Sequence, residues 1–279
     1  MHFIWRSKNK PMPYFKTNTC HYYYDQKGKG KPLIFAHGLF VDSTIFSHQF
    51  NQLSENYTCI SFDMPGHSQS TFNKDGWTLD EIADDFSKFI IDNAIDRPVL
   101  IGQSQGGMVF MRLAVKYPEL LGGLILIGTS SKAEYMDRLP FWKETLSILE
   151  LGNKTKIDEL LKNIQRNVVS EHFLQNHPIS ANEELNMMQG HEPLALKLAT
   201  EAAVLYRMDF SDELDKIQCK TLIVCGEEDH ATPLDISKMM VNKIKNSRLE
   251  VIANASHHIP IETPVQLSKV ISKFLIDIE

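Results

Sequence analysis

Six short apolar runs, separated by longer stretches of helical period, leave this chain few architectures. They are Leu33-Ile34-Phe35-Ala36, Thr58-Cys59-Ile60-Ser61-Phe62, Pro98-Val99-Leu100-Ile101, Leu124-Ile125-Leu126-Ile127, Thr221-Leu222-Ile223-Val224 and Leu249-Glu250-Val251-Ile252. Runs this short, bounded by turn signals, read as strands buried on both faces. Strands that alternate with helices make a mainly parallel sheet with helices on its faces, an α/β fold. Between the runs, Ile82, Phe86, Phe89 and Ile90 recur at three and four residues and give one apolar helix face. Met108 to Val115 is apolar almost all round, as in a helix packed on a sheet and covered on its other side, and Tyr117-Pro118 ends it. Val265 to Ile276 closes the chain as an amphipathic helix behind Pro264. Upstream, Tyr14–Thr17 and His21–Asp25 read as an antiparallel pair.

One region breaks the alternation. From Ser131 to Phe210 only helical segments occur: Phe141–Leu151, Ile157–Val169, Glu183–Met188 and Leu194–Met208. They predict a helical cap over residues 131–210, inserted into a core of residues 12–130 and 211–279. A helical layer that merely thickens the core is the alternative. Residues 1–11 read as an N-terminal extension, with Met12 as a candidate start position.

Charge and cysteine usage exclude several function classes. Lys and Arg number 29 against 35 Asp and Glu, a net charge of −6 with no long basic run, which argues against nucleic-acid or polybasic membrane partners. No apolar stretch approaches the roughly 18 residues of a spanning helix, and the N-terminus lacks the apolar segment of a secretory signal. Cys20, Cys59, Cys219 and Cys225 have no metal-ligand spacing, so reduced thiols in a cytoplasmic protein, and no metal, are expected. Gly28 and Gly30 precede a strand rather than a helix, so no phosphate cradle and no cofactor are expected.

The chemistry concentrates at Gly102-Gln103-Ser104-Gln105-Gly106, which begins where a buried strand ends and stops where a helix begins. That is the context of a nucleophile elbow, a turn tight enough to strain the serine backbone, with glycines that let its neighbours approach. A capping serine on a glycine-rich turn is the bland alternative. A serine hydroxyl needs a base to take its proton, and the base needs an acid to fix its tautomer. His257 and His258 follow the last strand, and Asp229 follows the fifth, within Gly226-Glu227-Glu228-Asp229. All these loops leave the same edge of a parallel sheet. The residue after the nucleophile, Gln105, supplies a backbone N–H to the developing oxyanion.

On these residues the chain resembles the α/β-hydrolases of the esterase, lactonase and C–C hydrolase type, from residue 12 to the end. The resemblance rests on His37-Gly38, Asp63-Met64-Pro65-Gly66-His67, the elbow at Ser104, Gly226-x-x-Asp229-x-x-Thr232-Pro233, and His257 ahead of Glu262-Thr263-Pro264. It implies the α/β-hydrolase fold with an inserted cap. It also implies His257 rather than His258 as the base, Asp229 rather than Glu227 or Glu228 as the acid, and Leu39 N–H as the second oxyanion donor. By the same resemblance Asp63 stabilises a turn. Phe40 and Trp142 are candidate substrate-binding residues, with packing as the alternative. Two features depart from the family pattern: Ser68 stands where glycine is usual, and glutamines flank Ser104.

The implied activity is a cofactor-free serine hydrolase acting on a small to medium carboxylic ester or lactone through an acyl-enzyme on Ser104. Two rivals keep the fold: C–C bond cleavage of ring-fission products, aided by Arg138, Arg166 or Arg207, and a small-molecule sensor with little turnover. Perhydrolysis fits the same site.

Overall fold

The computed structural model describes residues 13–278, so the proposed extension over 1–11 and the candidate start at Met12 lie outside the described residues. Eight strands form one sheet: β1 (Tyr14–Lys16), β2 (His21–Lys27), β3 (Pro32–Ala36), β4 (Thr58–Phe62), β5 (Val99–Gln103), β6 (Gly123–Ile127), β7 (Thr221–Gly226) and β8 (Ser247–Ile252). Their order is β1-β2-β4-β3-β5-β6-β7-β8. The strands β1 and β2 run antiparallel at one edge, and the other six are parallel. Each expected run is a strand, and β5 extends two residues further than expected, to Gln103, so Ser104 directly follows it.

Alternation along the strands builds two cores. Ile34, Ile60, Leu100 and Ile223 face one layer, where α2 (Leu79–Asp92), α3 (Gln105–Lys116) and α9 (Leu234–Lys243) pack. Leu33, Phe35, Val99, Ile101 and Val224 face the other, against α1 (Ser47–Leu53), the short α10 (Ile259–Glu262) and α11 (Pro264–Asp277). A strand buried on both faces needs apolar residues at every position, hence the unbroken runs. The helix α2 starts where it should: Thr78 and Glu81 form a reciprocal capping box.

Between β6 and β7 lie α4 (Leu139–Leu151), α5 (Lys154–Val168), α6 (Glu171–Asn176), α7 (Pro178–Gln189), α8 (Pro193–Thr200) and a π-helical turn over Glu201–Leu205. Here the sequence boundaries need correction. The helix expected over Glu183–Met188 begins five residues earlier, because Pro178 occupies a first-turn position that needs no N–H. The helix expected over Leu194–Met208 is α-helical only to Thr200, passes into the π turn, and ends before the exposed Tyr206 and Met208. The short α6, capped by Ser170, has no counterpart among the expected helices. This helical segment has a core of its own, with Leu149, Leu161, Ile164 and Met188 packed around Phe40 from the loop after β3.

Because the six parallel strands point one way, the loops after Ala36, Phe62, Gln103, Ile127, Gly226 and Ile252 leave a single edge. The chain turns from β3 to β4 on one side and returns past it to β5 on the other. The β3 and β5 loops therefore diverge at a topological switch point, where open α/β sheets form their crevice.

Candidate active site

Ser104 sits in that crevice with φ 49° and ψ −114°, a backbone conformation costly for any residue with a Cβ. Its N–H donates to Ile127 O at 2.9 Å, and its carbonyl accepts from Thr129 Oγ1 at 2.6 Å, so both neighbours of the strain are pinned to β6 and its loop. Gly106 is required by close approach: a Cβ there would lie 2.1 Å from Ala36 O. The side chain is thus held out at the rim of the sheet.

His257 and Asp229 meet, with Nδ1 2.9 Å from Asp229 Oδ2, and both are buried. Thr232 completes the carboxylate's shell: its N–H donates to Oδ1 and its hydroxyl to Oδ2, each at 2.8 Å. Burial pushes the Asp229 carboxyl up, but the charge of His257 and the hydrogen bonds from His257 and Thr232 outweigh it. The group lies below the ordinary carboxylate range. Gly128 makes room for the pair, since a Cβ there would stand 3.1–3.3 Å from His257 and Asp229 atoms. With Nδ1 engaged, Nε2 is the nitrogen left to face a reacting group.

Ser104 and His257 line one cavity of about 100 Å³. Among the described residues no hydrogen bond joins the two side chains, a contact that in unliganded enzymes is often long and tightens when substrate binds. Leu39 and Gln105 line the same cavity, and among the described residues the backbone N–H of neither has a protein acceptor. The loop that presents Leu39 is set from below by two buried histidines. Met64 N–H donates to His37 Nε2 at 2.8 Å, and Phe40 N–H, at a residue with φ 68°, donates to His67 Nε2 at 3.3 Å. Burial holds His37 down to about 4 and pushes His67 down as well, so both are neutral acceptors at neutral pH.

Phe40 and Trp142 both line the cavity and stack on each other at 6.4 Å between ring centroids. Asp63 accepts from Ser43 N–H and Gln69 N–H and so ties two loops, as the turn role requires. Ser68 adopts φ 48°, the left-handed conformation its glycine-like position demands. Of the two glutamines beside Ser104, Gln103 anchors the loop of the candidate base, since its Nε2 donates to His257 O at 3.3 Å.

Sequence reasoning missed much of the opposite wall. Ile164, Val168 and Met188 line it, as do Ala203 and Val204 on the π turn. So does Glu134, at a charged end that it shares with Arg138 and Arg207, two of the three arginines the sequence offered; the third, Arg166, does not line the cavity. Arg207 Nη2 pairs with Glu134 at 3.2 Å, and Arg138 donates to the carbonyls of His230 and Ala231. The length of the helical stretch was the available signal, but which of its side chains face inward depends on tertiary packing. Among the described residues no cluster of His, Cys, Asp and Glu could hold a metal, and no helix is long and apolar enough to cross a membrane.

A family model for the alpha/beta hydrolase fold matches residues 31–264. The chain belongs to the α/β-hydrolase family. Relatives include the AB hydrolase superfamily protein YisY of Bacillus subtilis, 26% identical over 88% of this chain and 92% of that one. Another is the 2-hydroxy-6-oxo-6-phenylhexa-2,4-dienoate hydrolase of Comamonas testosteroni, 25% identical over 91% and 90%. A thermophilic esterase from Thermogutta terrifontis superposes with a TM-score of 0.87 at 24% identity, covering 95% of this chain and 99% of that one, and so shares the fold.

Proposed function

We propose that this α/β-hydrolase is a serine hydrolase that cleaves a small carboxylic ester or lactone. The observation that carries the reading is the strained Ser104 sharing one small cavity with the His257–Asp229 pair and two backbone N–H groups that have no acceptor among the described residues. In this reading His257 Nε2 takes the Ser104 proton as Oγ attacks the carbonyl carbon. Leu39 and Gln105 N–H groups receive the oxyanion, and Asp229 holds the imidazolium. His257 then protonates the departing alkoxide, leaving an acyl-enzyme. Water, deprotonated by the same imidazole, releases the acid. A cavity of about 100 Å³ favours a short acyl group, since pockets for drug-sized ligands run from roughly 300 Å³ upward.

The test is turnover of p-nitrophenyl acetate by wild type and Ser104→Ala. Hydrolysis reduced about 10⁴-fold or more in the variant is expected, as for other nucleophile deletions. Equal turnover would remove Ser104 from the chemistry.

One observation favours a second reading, C–C hydrolysis of a carboxylate-bearing ring-fission product. The cavity's charged end holds two guanidinium groups, Arg138 and Arg207, against one carboxylate, Glu134, in a chain whose net charge is −6. A 2-hydroxy-6-oxo-dienoate turned over faster than acetate esters would make this the main activity.

A further inference from the structure

His258, next to the proposed base, has a carboxylate partner of its own. Its Nδ1 hydrogen-bonds to Glu184 Oε1 on α7, and both side chains are almost wholly buried. Gln165 on α5 donates to Glu184 Oε2 at 2.9 Å and to Ala181 O at 2.6 Å, which fixes the carboxylate from behind. The backbone beside this pair is held from the same direction. The N–H groups of His257 and His258 both donate to Val168 O, each at 3.0 Å, at the end of α5. Glu262 then bridges the two chain segments: it accepts from Ser170 N–H at 2.8 Å and from Ser256 N–H at 3.1 Å.

The loop bearing His257 is therefore anchored to the helical segment as well as to the sheet. On the sheet side, Gln103 Nε2 donates to His257 O, Ser256 Oγ donates to Glu228 O, Glu228 N–H donates to Ala255 O, and His257 Nδ1 meets Asp229. Val168 and Ile164, which line the cavity, belong to the same stretch of α5 that supplies the anchoring carbonyl.

We propose that Glu184 is a positioning residue for His257: the buried Glu184–His258 pair locks α7, and through Gln165 the last turn of α5, onto the 256–258 loop, and so sets the aim of the imidazole toward Ser104. The role rests on the serine-hydrolase reading for its catalytic consequence, but the lock itself is a property of the folded chain. Glu184 is not among the residues that line the cavity, so its influence on the site runs through His258 and the loop. An acid buried on one imidazole, with its second oxygen held by Gln165, restricts the geometry tightly.

The experiment uses the full chain as wild type, Glu184→Ala and Glu184→Gln, with thermal unfolding to establish that each folds. Amide hydrogen exchange over residues 256–258 is compared with exchange over α3 as an internal control. In parallel, kcat and KM are measured on p-nitrophenyl acetate. Glu184→Ala is expected to speed exchange at 256–258 and to lower kcat about ten- to a hundred-fold, with KM within about twofold, because small displacements of a catalytic group carry costs of this size. Glu184→Gln, which keeps a hydrogen-bonding group, is expected to recover part of both effects, and it carries the test if the alanine variant does not fold. Unchanged exchange in a folded variant overturns the proposal. So does faster exchange with unchanged kcat, or a raised KM with kcat intact, which would mean that the lock shapes substrate binding and not the aim of the imidazole. A wild type without esterase turnover removes the serine-hydrolase reading instead, while the exchange arm still reports on the lock.

Discussion

His257 and His258 are consecutive and both buried, yet their rings are claimed by different parts of the molecule. Asp229, just past the end of β7, holds one; Glu184, on a helix between two strands, holds the other. The sheet side of the cavity is built on strand ends, whose positions are fixed by ladder hydrogen bonds and two buried cores. The helical side is built on side chains projecting from short helices with a small core of their own. A rigid rim suits bond making and breaking, where fractions of an ångström matter. A wall of separate helices suits discrimination between substrates, where loss or gain of a methylene matters less.

That division is open to direct attack. The largest effect should come from the rim. Asp229→Asn leaves the shape of the pair but not its charge, and kcat on p-nitrophenyl acetate should fall by about 10⁴, with the unfolding temperature close to wild type. A variant with near-normal kcat would move the acid elsewhere. Next is the loop that carries the proposed oxyanion donor Leu39. His67→Ala removes the acceptor of Phe40 N–H, and kcat should drop about tenfold to a hundredfold as Leu39 loses its fixed orientation. An unchanged rate would show that the loop holds itself.

A wall residue should behave differently. Trp142→Ala unstacks Phe40 and opens the cavity, so butyrate and hexanoate esters should gain on acetate by roughly 10-fold in kcat/KM, the size of effect that pocket volume can exert. Parallel losses on all three esters would assign Trp142 to packing alone. The smallest effect concerns stability rather than rate. The folded state keeps His37 down at about 4 and His67 below its ordinary 6.5, whereas the unfolded chain protonates both near 6.5. Unfolding therefore takes up protons between these values, and stability is lost as the pH falls from 6.5 toward 4. Asp63, raised to about 6 chiefly by burial, works the other way over much of that range and offsets part of the loss. The urea midpoint should be lower at about pH 5 than at about pH 7, and the drop smaller in His67→Gln. A midpoint that holds or rises would mean that other groups govern the acid limb.

The strands could be read in the sequence because burial on both faces leaves no freedom for polar residues, and the elbow because its glycines and its place between strand and helix coincide. The helical segment was harder. Its helices bury narrow faces against each other, so Pro178 and Pro193 mark their starts better than hydrophobic period does. Glu184 could not have been singled out, since a glutamate in a helical pattern ordinarily faces water and its partner lies 74 residues away. The two histidines illustrate the same limit. Their chemistry is identical, and only the carboxylate that each ring meets in three dimensions tells them apart.

The π turn at Glu201–Leu205 has an evolutionary corollary. Such a turn accommodates one residue more than an α-helix would, and Ala203 and Val204 of the turn, with Arg207 just after it, reach the cavity. Deleting a single codon there would remove the extra residue and restore regular winding, changing which side chains of the turn meet the cavity. The wall would be redrawn in one step, with the strand ends untouched. A one-residue indel is thus a route by which the cavity could be re-cut while Ser104, His257 and Asp229 keep their places.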